Sequence, residues 1–225
     1  YEVAALKTGM LPTREIIEEV ARLAAENNLT NFVVDPVVRS TSGFDLIDDA
    51  ALQALTEKLF PLASVVTPNI PEAERITKMQ IETAEDVRKA AKIMQSMGAK
   101  NVLIKGGHLS ISDFGFRVSD LENDFDGSDL DRSEGSGKDQ RPKTGKRQAI
   151  DFLFIGDAEL TFSADFIETT ATHGTGCTLA AAITANLANG KLLPEAVEAA
   201  KKFVTAAIRR APHIGKGHSP VGIVF

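Results

Sequence analysis

The chain has too few cysteines for a disulfide framework, because only one occurs among its 225 residues. A single cysteine fits a reducing compartment, and we therefore expect the protein in the cytoplasm. The sequence has no visible signal peptide, and no apolar run approaches the roughly 18 residues that a membrane span requires. It has no internal repeat either. These absences argue against a domain held together by disulfides and against a membrane-spanning segment.

Positive charge is also scarce, since the formal net charge is −6. A surplus of negative charge argues against nucleic acid as the main partner. Apolar residues make up 43% of the chain, which is enough for a full hydrophobic core. The length suits one domain over residues 1–225.

Segments with helical spacing of apolar residues alternate with short β-branched runs, which predicts an α/β fold with helices layered on a sheet. Thr13 is placed as a helix N-cap, and Thr83 with Asp86 is placed as a capping box. The predicted helices cover 13–27, 48–60, 83–97, 177–188 and 194–208. The predicted strands cover 31–34, 64–67, 102–104, 151–155 and 159–163, and the last two form a hairpin.

Residues 110–149 interrupt this alternation with a stretch that has neither helical nor strand periodicity. Nine acidic and three basic residues lie between Asp113 and Asp139, a balance equal to the net charge of the whole chain. Such composition predicts a disordered insertion within the domain. The basic residues between Arg141 and Arg147 could close over bound phosphates, but a solvated loop without a role is the alternative.

A glycine-containing loop precedes the helix that begins near Cys177. Gly174 and Gly176 flank Thr175, and glycine allows a ligand to approach the main chain closely. The first N–H groups of the helix and the positive end of its dipole favour an anion here, including a thiolate at Cys177. The alternative is a tight turn followed by a small buried cysteine.

Polar residues follow the predicted strands at the points where these strands end. Asp35 follows one strand, Asn69 and Glu72 follow another, and Lys105 ends a third. In open α/β sheets, ligands bind at the carboxyl ends of the strands. Oxygen ligands for Mg²⁺, a cation for phosphate and an anion-binding loop are the parts that phosphoryl transfer requires. Each has an alternative, namely a turn at Asp35, a helix start at Glu72 and a surface cation at Lys105.

Five segments resemble the hydroxymethylpyrimidine and phosphomethylpyrimidine kinases of thiamine biosynthesis, which belong to the ribokinase-like superfamily. The segments are DPVVRSTSG at 35–43, TPNIPEAE at 67–74, VLIKGGH at 102–108, HGTGCT at 173–178 and GHSPV at 217–221. The resemblance covers nearly all of the chain except the insertion. It implies a three-layer sandwich with a mostly parallel central sheet, and ATP and Mg²⁺ as cofactors.

The resemblance also implies a role for each matching residue. Cys177 would be the catalytic base, and sugar and pyridoxal relatives usually carry aspartate there. The anion hole would consist of Gly174, Thr175 and Gly176, and the nucleotide would contact Lys105 and Thr172. Asp35, Asn69 and Glu72 would organise Mg²⁺. Gly9 and Met10 would bind the pyrimidine ring, although the side chain of Met10 by itself suggests a core position.

The predicted function is therefore phosphorylation of hydroxymethylpyrimidine and of its monophosphate, small molecules bound without nucleic acid or membrane. The resemblance implies a homodimer. Relatives begin with a glycine-rich segment that would precede Tyr1, so we expect an N-terminally incomplete domain. Pyridoxal kinase activity is one alternative, and a catalytically inactive pyrimidine-binding protein is the other.

Overall fold

The structure is a computed structural model that describes residues 2–39, 44–106, 147–170, 173–212 and 219–223. Among these residues it forms one six-stranded sheet with strands in the order β1 to β6. The strands are β1 Leu6–Thr8, β2 Phe32–Val34, β3 Val65–Val66, β4 Asn101–Lys105, β5 Gln148–Ile155 and β6 Ala158–Asp165. Strands β1 to β4 are parallel, and β5 and β6 are antiparallel to their neighbours. The predicted α/β fold with a mostly parallel sheet is confirmed.

Six α-helices connect or follow the strands in the described part of the chain. They are α1 Arg14–Glu26, α2 Asp49–Ala54, α3 Ile70–Thr77, α4 Ala84–Ser96, α5 Thr175–Ala188 and α6 Leu193–Arg209. A π-helical turn over Leu55–Leu59 and a 3₁₀ turn over Phe60–Leu62 extend α2. The Thr13 hydroxyl accepts a hydrogen bond from the N–H of Ile16, and Thr83 and Asp86 form a capping box. Both predicted helix starts are confirmed, and each satisfies N–H groups that the helix itself leaves open.

The two faces of the sheet pack against different helices. Because side chains alternate along a strand, each strand contributes to both faces. One face, with Phe32, Val66 and Ile104, packs against α1 to α4. The other face packs against α5 and α6 through the apolar row Val33, Val65, Leu103 and Leu153. The predicted three-layer arrangement is thus observed.

The main differences from the sequence-based prediction are two elements and the start of β5, and most other element boundaries shift by one or two residues. Strand β1 was not predicted, since its three residues include Lys7 and lie at an edge of the described sheet. Helix α3 was anticipated only as a possible helix start at Glu72, because Pro71 interrupts the local pattern. Strand β5 begins at Gln148, whereas the predicted insertion extended to Ala149. Residues 110–146 of that insertion lie outside the described residues.

Candidate active site

A row of polar residues continues the apolar row on the face of the sheet that packs against α5 and α6. Each polar residue lies two positions from an apolar residue of that row, on the side of the sheet where the parallel strands end. The polar row consists of Asp35, Thr67, Lys105 and Asp151. Lys105 and Asp151 are directly opposite each other on β4 and β5. The strand ends therefore bring the predicted site residues Asp35 and Lys105 onto one surface.

Lys105 is the cation at the centre of this surface. Its Nζ lies 2.9 Å from Oδ1 of Asp35 and 4.0 Å from Oε2 of Glu72. The hydroxyl of Thr67 also donates to Oδ1 of Asp35, at 3.1 Å. The side chain of Lys105 is 13% exposed and that of Asp35 is 2% exposed. Burial acts to lower the pKa of Lys105, but the charges of Asp35 and Glu72 outweigh it and raise this pKa, so the ammonium stays charged. The surface-cation alternative for Lys105 is wrong.

Glu72 contributes both to helix α3 and to the charged cluster. Its carboxylate accepts the N–H of Asn69 at 2.7 Å, and its own N–H donates to Oδ1 of Asn69 at 2.8 Å. This capping box holds the carboxylate in a fixed orientation at the start of α3. Burial raises the pKa of Glu72 to about 7, against the opposing effects of the Lys105 charge and the Asn69 N–H bond. Glu72 therefore caps the start of α3, and its carboxylate also lies close to Lys105, so a helix start is not its only contact.

The glycine loop and the start of α5 lie against Lys105. Gly174 is the N-cap of α5 with a φ of 82°, which a residue with a side chain adopts only with strain. A Cβ placed on Gly176 would lie 3.3 Å from Nζ of Lys105, so the ammonium is next to the helix N-terminus. Two sources of positive potential, the ammonium and the first N–H groups of α5, therefore meet at one place.

Cys177 lies in the first turn of α5, and its side chain is exposed. The alternative of a small buried cysteine is wrong. An exposed thiol in the first turn of a helix lies close to the first N–H groups of that helix and can contact a ligand there. Thr172, which was predicted to bind nucleotide, lies outside the described residues.

The ends of other segments border this surface. Gly9 and Met10 follow β1, and the pairing of Thr8 with Val34 places them at the same edge as Asp35. Met10 is 52% exposed, so the core alternative for its side chain is wrong. A bridge between His173 and Pro220 places the C-terminal segment beside the glycine loop. The functional roles of these residues remain predictions.

Sequence reasoning missed one ion pair at this edge. Nζ of Lys201 in α6 lies 2.6 Å from Oδ2 of Asp151, and both residues are more than nine-tenths buried. A signal was present, because Lys201 falls on the apolar stripe of α6 with Val197 and Val204. A charged residue on a buried helix face requires a partner.

Two kinds of feature are absent from the described residues. They contain no group of three or more histidine, cysteine, aspartate or glutamate side chains arranged to hold a metal ion. None of the helices described is long and apolar enough to cross a membrane.

Comparison with known proteins gives matches over nearly the whole chain. The family model described as phosphomethylpyrimidine kinase matches residues 1–222. A thiamine biosynthesis bifunctional protein, ThiED, of Geobacter sulfurreducens is 41% identical over 99% of this chain and 38% of its own length. A hydroxymethylpyrimidine/phosphomethylpyrimidine kinase of Haemophilus influenzae is 39% identical over 98% of this chain and 70% of its own length.

A solved structure supports the fold. The pyridoxal kinase of Bacillus subtilis, solved as an ADP complex, superposes with a TM-score of 0.75 at 34% identity, covering 98% of this chain and 70% of that one. The predicted ribokinase-like fold and the predicted kinase family are confirmed. The chain spans only 38% of the length of the Geobacter protein. The chain therefore belongs to the phosphomethylpyrimidine kinase family, as the matches show and as the sequence motifs and the fold support.

Proposed function

We propose that this chain transfers the γ-phosphate of ATP to hydroxymethylpyrimidine and then to its monophosphate. One observation supports this most strongly, namely the position of Nζ of Lys105 against the N-terminus of α5, with Cys177 exposed in the first turn. A phosphoryl group with its charge spread over several oxygens needs positive potential from more than one direction. The match to a kinase family supplies the reaction class.

In this mechanism the residues of the chain position the two substrates and remove one proton. Lys105 and the N–H groups of Gly176 and Cys177 hold phosphate oxygens of the nucleotide through charge-assisted hydrogen bonds. Cys177 acts as the base and takes the proton of the substrate hydroxyl as this oxygen attacks the γ-phosphorus, while the bond from that phosphorus to the β-phosphate oxygen breaks and ADP leaves. Met10 packs on the pyrimidine ring, which fixes the hydroxymethyl group near Cys177.

The same edge fits a magnesium ion by its donor set. Asp35 and Glu72 are hard carboxylate ligands that share the single ammonium of Lys105, which leaves a local surplus of negative charge. When bound, Mg²⁺ would neutralise charge that develops on the phosphate oxygens. Asp35 and Glu72 would hold it, directly or through water, and Asn69 fixes Glu72 by capping α3.

Replacement of Glu72 by glutamine tests this assignment. The amide oxygen of glutamine can still accept the N–H of Asn69, so we expect α3 to keep its start. The neutral amide attracts the ion less, and the Mg²⁺ concentration for half-maximal rate should rise roughly 10- to 100-fold. Glu85→Gln, an exposed carboxylate at the start of α4, is the control. An unchanged Mg²⁺ dependence of Glu72→Gln would show that the carboxylate only caps α3.

Pyridoxal kinase activity is the second candidate, because the superposed structure from Bacillus subtilis is named a pyridoxal kinase. Both substrates carry a hydroxymethyl group on an aromatic ring, so the phosphate site does not distinguish them. The intact protein should be assayed with hydroxymethylpyrimidine, its monophosphate and pyridoxal at equal ATP. We expect a higher kcat/KM for hydroxymethylpyrimidine than for pyridoxal, and phosphorylation of the monophosphate as well.

The opposite preference for pyridoxal would favour the second candidate. Calorimetric binding of hydroxymethylpyrimidine without any turnover would instead identify an inactive binding protein. We also propose a homodimer in the cytoplasm, following the family resemblance. The mass of the intact protein measured by light scattering tests the oligomeric state.

A further inference from the structure

Two ion pairs are neighbours at the edge of the sheet where the parallel strands end. Lys105 pairs with Asp35, and Lys201 pairs with Asp151 at 2.6 Å. Asp151 also accepts the N–H of Gly106, the residue after Lys105, at 3.1 Å. Asp151 is 6% exposed and Lys201 is 8% exposed, so neither charge is solvated by water to any large extent. Each buried carboxylate therefore depends on its own ammonium group to compensate its negative charge.

The register of the sheet also allows a different pairing. Lys105 and Asp151 are directly opposite each other across β4 and β5, and their side chains project from the same face. Directly opposite residues of antiparallel strands have Cβ atoms about 4.5–5.5 Å apart, well within the reach of a lysine side chain. Asp151 is therefore a close competitor of Asp35 for Lys105.

We propose that Lys201 is a positioning residue that occupies Asp151 and thereby keeps Lys105 paired with Asp35 beside α5. The inference rests on the proposed function, in which Lys105 contacts the nucleotide. Without Lys201, Asp151 is a buried carboxylate with the ammonium of Lys105 available directly across β4 and β5. Re-pairing of Lys105 with Asp151 draws Nζ towards β5 and away from Gly176 and the phosphate site.

The location of Lys201 supports this assignment. It lies on the buried stripe of α6 between apolar residues such as Ala200 and Val204, where an apolar side chain of similar volume would avoid desolvation of a charge. A lysine here is explained by the carboxylate that it neutralises. The N–H of Gly106 in turn holds Asp151 in place through its hydrogen bond. Only glycine fits at this position, because any Cβ would collide with the carbonyl oxygen of Ile150.

Replacement of Lys201 by methionine keeps the length of the side chain and removes the charge. We expect the dissociation constant for ADP, measured by calorimetry on the intact protein, to rise roughly 10- to 100-fold, the value of one charge-assisted contact. The double variant Asp151→Asn with Lys201→Met removes the competitor and should recover most of this loss. Lys202→Met is the matched control, because Lys202 is the next residue of α6 and is exposed.

Crystal structures of the two variants test the pairing without any nucleotide. The proposal requires that Nζ of Lys105 forms an ion pair with Asp151 in the Lys201→Met variant. In the double variant, Nζ of Lys105 should remain paired with Asp35. If Lys105 remains paired with Asp35 in a folded Lys201→Met variant, the proposal is overturned. Equal weakening of ADP binding in both variants would also overturn it, because Lys201 would then act on the nucleotide directly.

The test stays decisive if the Lys201→Met variant does not fold or if the parent does not bind ADP. If Lys201→Met gives no cooperative thermal transition, Asp151→Asn alone replaces it as the test. ADP affinity within about threefold of the parent then supports the proposal, and a tenfold loss or more contradicts it. If the parent itself binds no ADP, the proposed function fails, and the crystal structures still decide whether Lys201 controls the partner of Lys105.

Discussion

Replacement of Cys177 by alanine is expected to lower turnover by about 10²- to 10⁴-fold, the value of general-base assistance, and to leave nucleotide affinity close to that of the parent. A hydroxyl group is a weak nucleophile until a base takes its proton. Cys177 is the only cysteine of the chain and its side chain is exposed in the first turn of α5. Steady-state kinetics with saturating ATP and hydroxymethylpyrimidine measure the effect as a loss of kcat.

The exposure of Cys177 separates a catalytic effect from a structural one. Because the thiol fills no core position, the alanine variant should lose no more than about 0.5 kcal/mol of folding free energy. Cys177→Asp restores a base at the same place and should recover part of the lost rate, whereas Cys177→Ser should remain slow. Near-normal turnover of the alanine variant would remove Cys177 from the catalytic role.

The sequence predicts the elements of this site better than their connections. The β-branched runs at β2 and β3 and the glycines around Thr175 carry local signals, so the strand ends and the position of the glycine loop before α5 are predicted correctly. The capping pair of Thr83 and Asp86 is likewise a local pattern, and the structure confirms it. Local sequence patterns predict that Asp35, Lys105 and Cys177 lie at the ends of helices or strands, but they do not predict which side chains these residues contact.

The pairing of charges follows from register, which the sequence does not determine. Lys105 and Asp151 are opposite each other only because β5 runs antiparallel to β4 after a connection of more than 40 residues. Lys201 reaches Asp151 from a helix 50 residues further along the chain. Tertiary packing decides which of three nearby carboxylates pairs with Lys105, and this choice determines where the ammonium lies relative to the start of α5.

Replacement of Lys105 by methionine should damage both stability and nucleotide binding. The variant leaves Asp35 and Glu72 as buried carboxylates without their shared cation, and loss of one partner of a buried ion pair typically costs about 3–5 kcal/mol. It also removes the proposed charge-assisted contact to phosphate, which corresponds to roughly 10- to 100-fold in affinity. Chemical denaturation and calorimetry with ADP measure the two effects separately. Lys100→Met, an exposed lysine just before β4, is the control.

A second substitution separates these two effects. Asp35→Asn combined with Lys105→Met removes the unpaired charge at Asp35, and the asparagine oxygen can still accept the hydroxyl of Thr67. We therefore expect most of the folding free energy to return, while ADP affinity stays 10- to 100-fold below that of the parent, since no ammonium faces the phosphates. Recovery of ADP affinity together with stability would show that Lys105 only compensates Asp35 and that the N-terminus of α5 binds the phosphates without it.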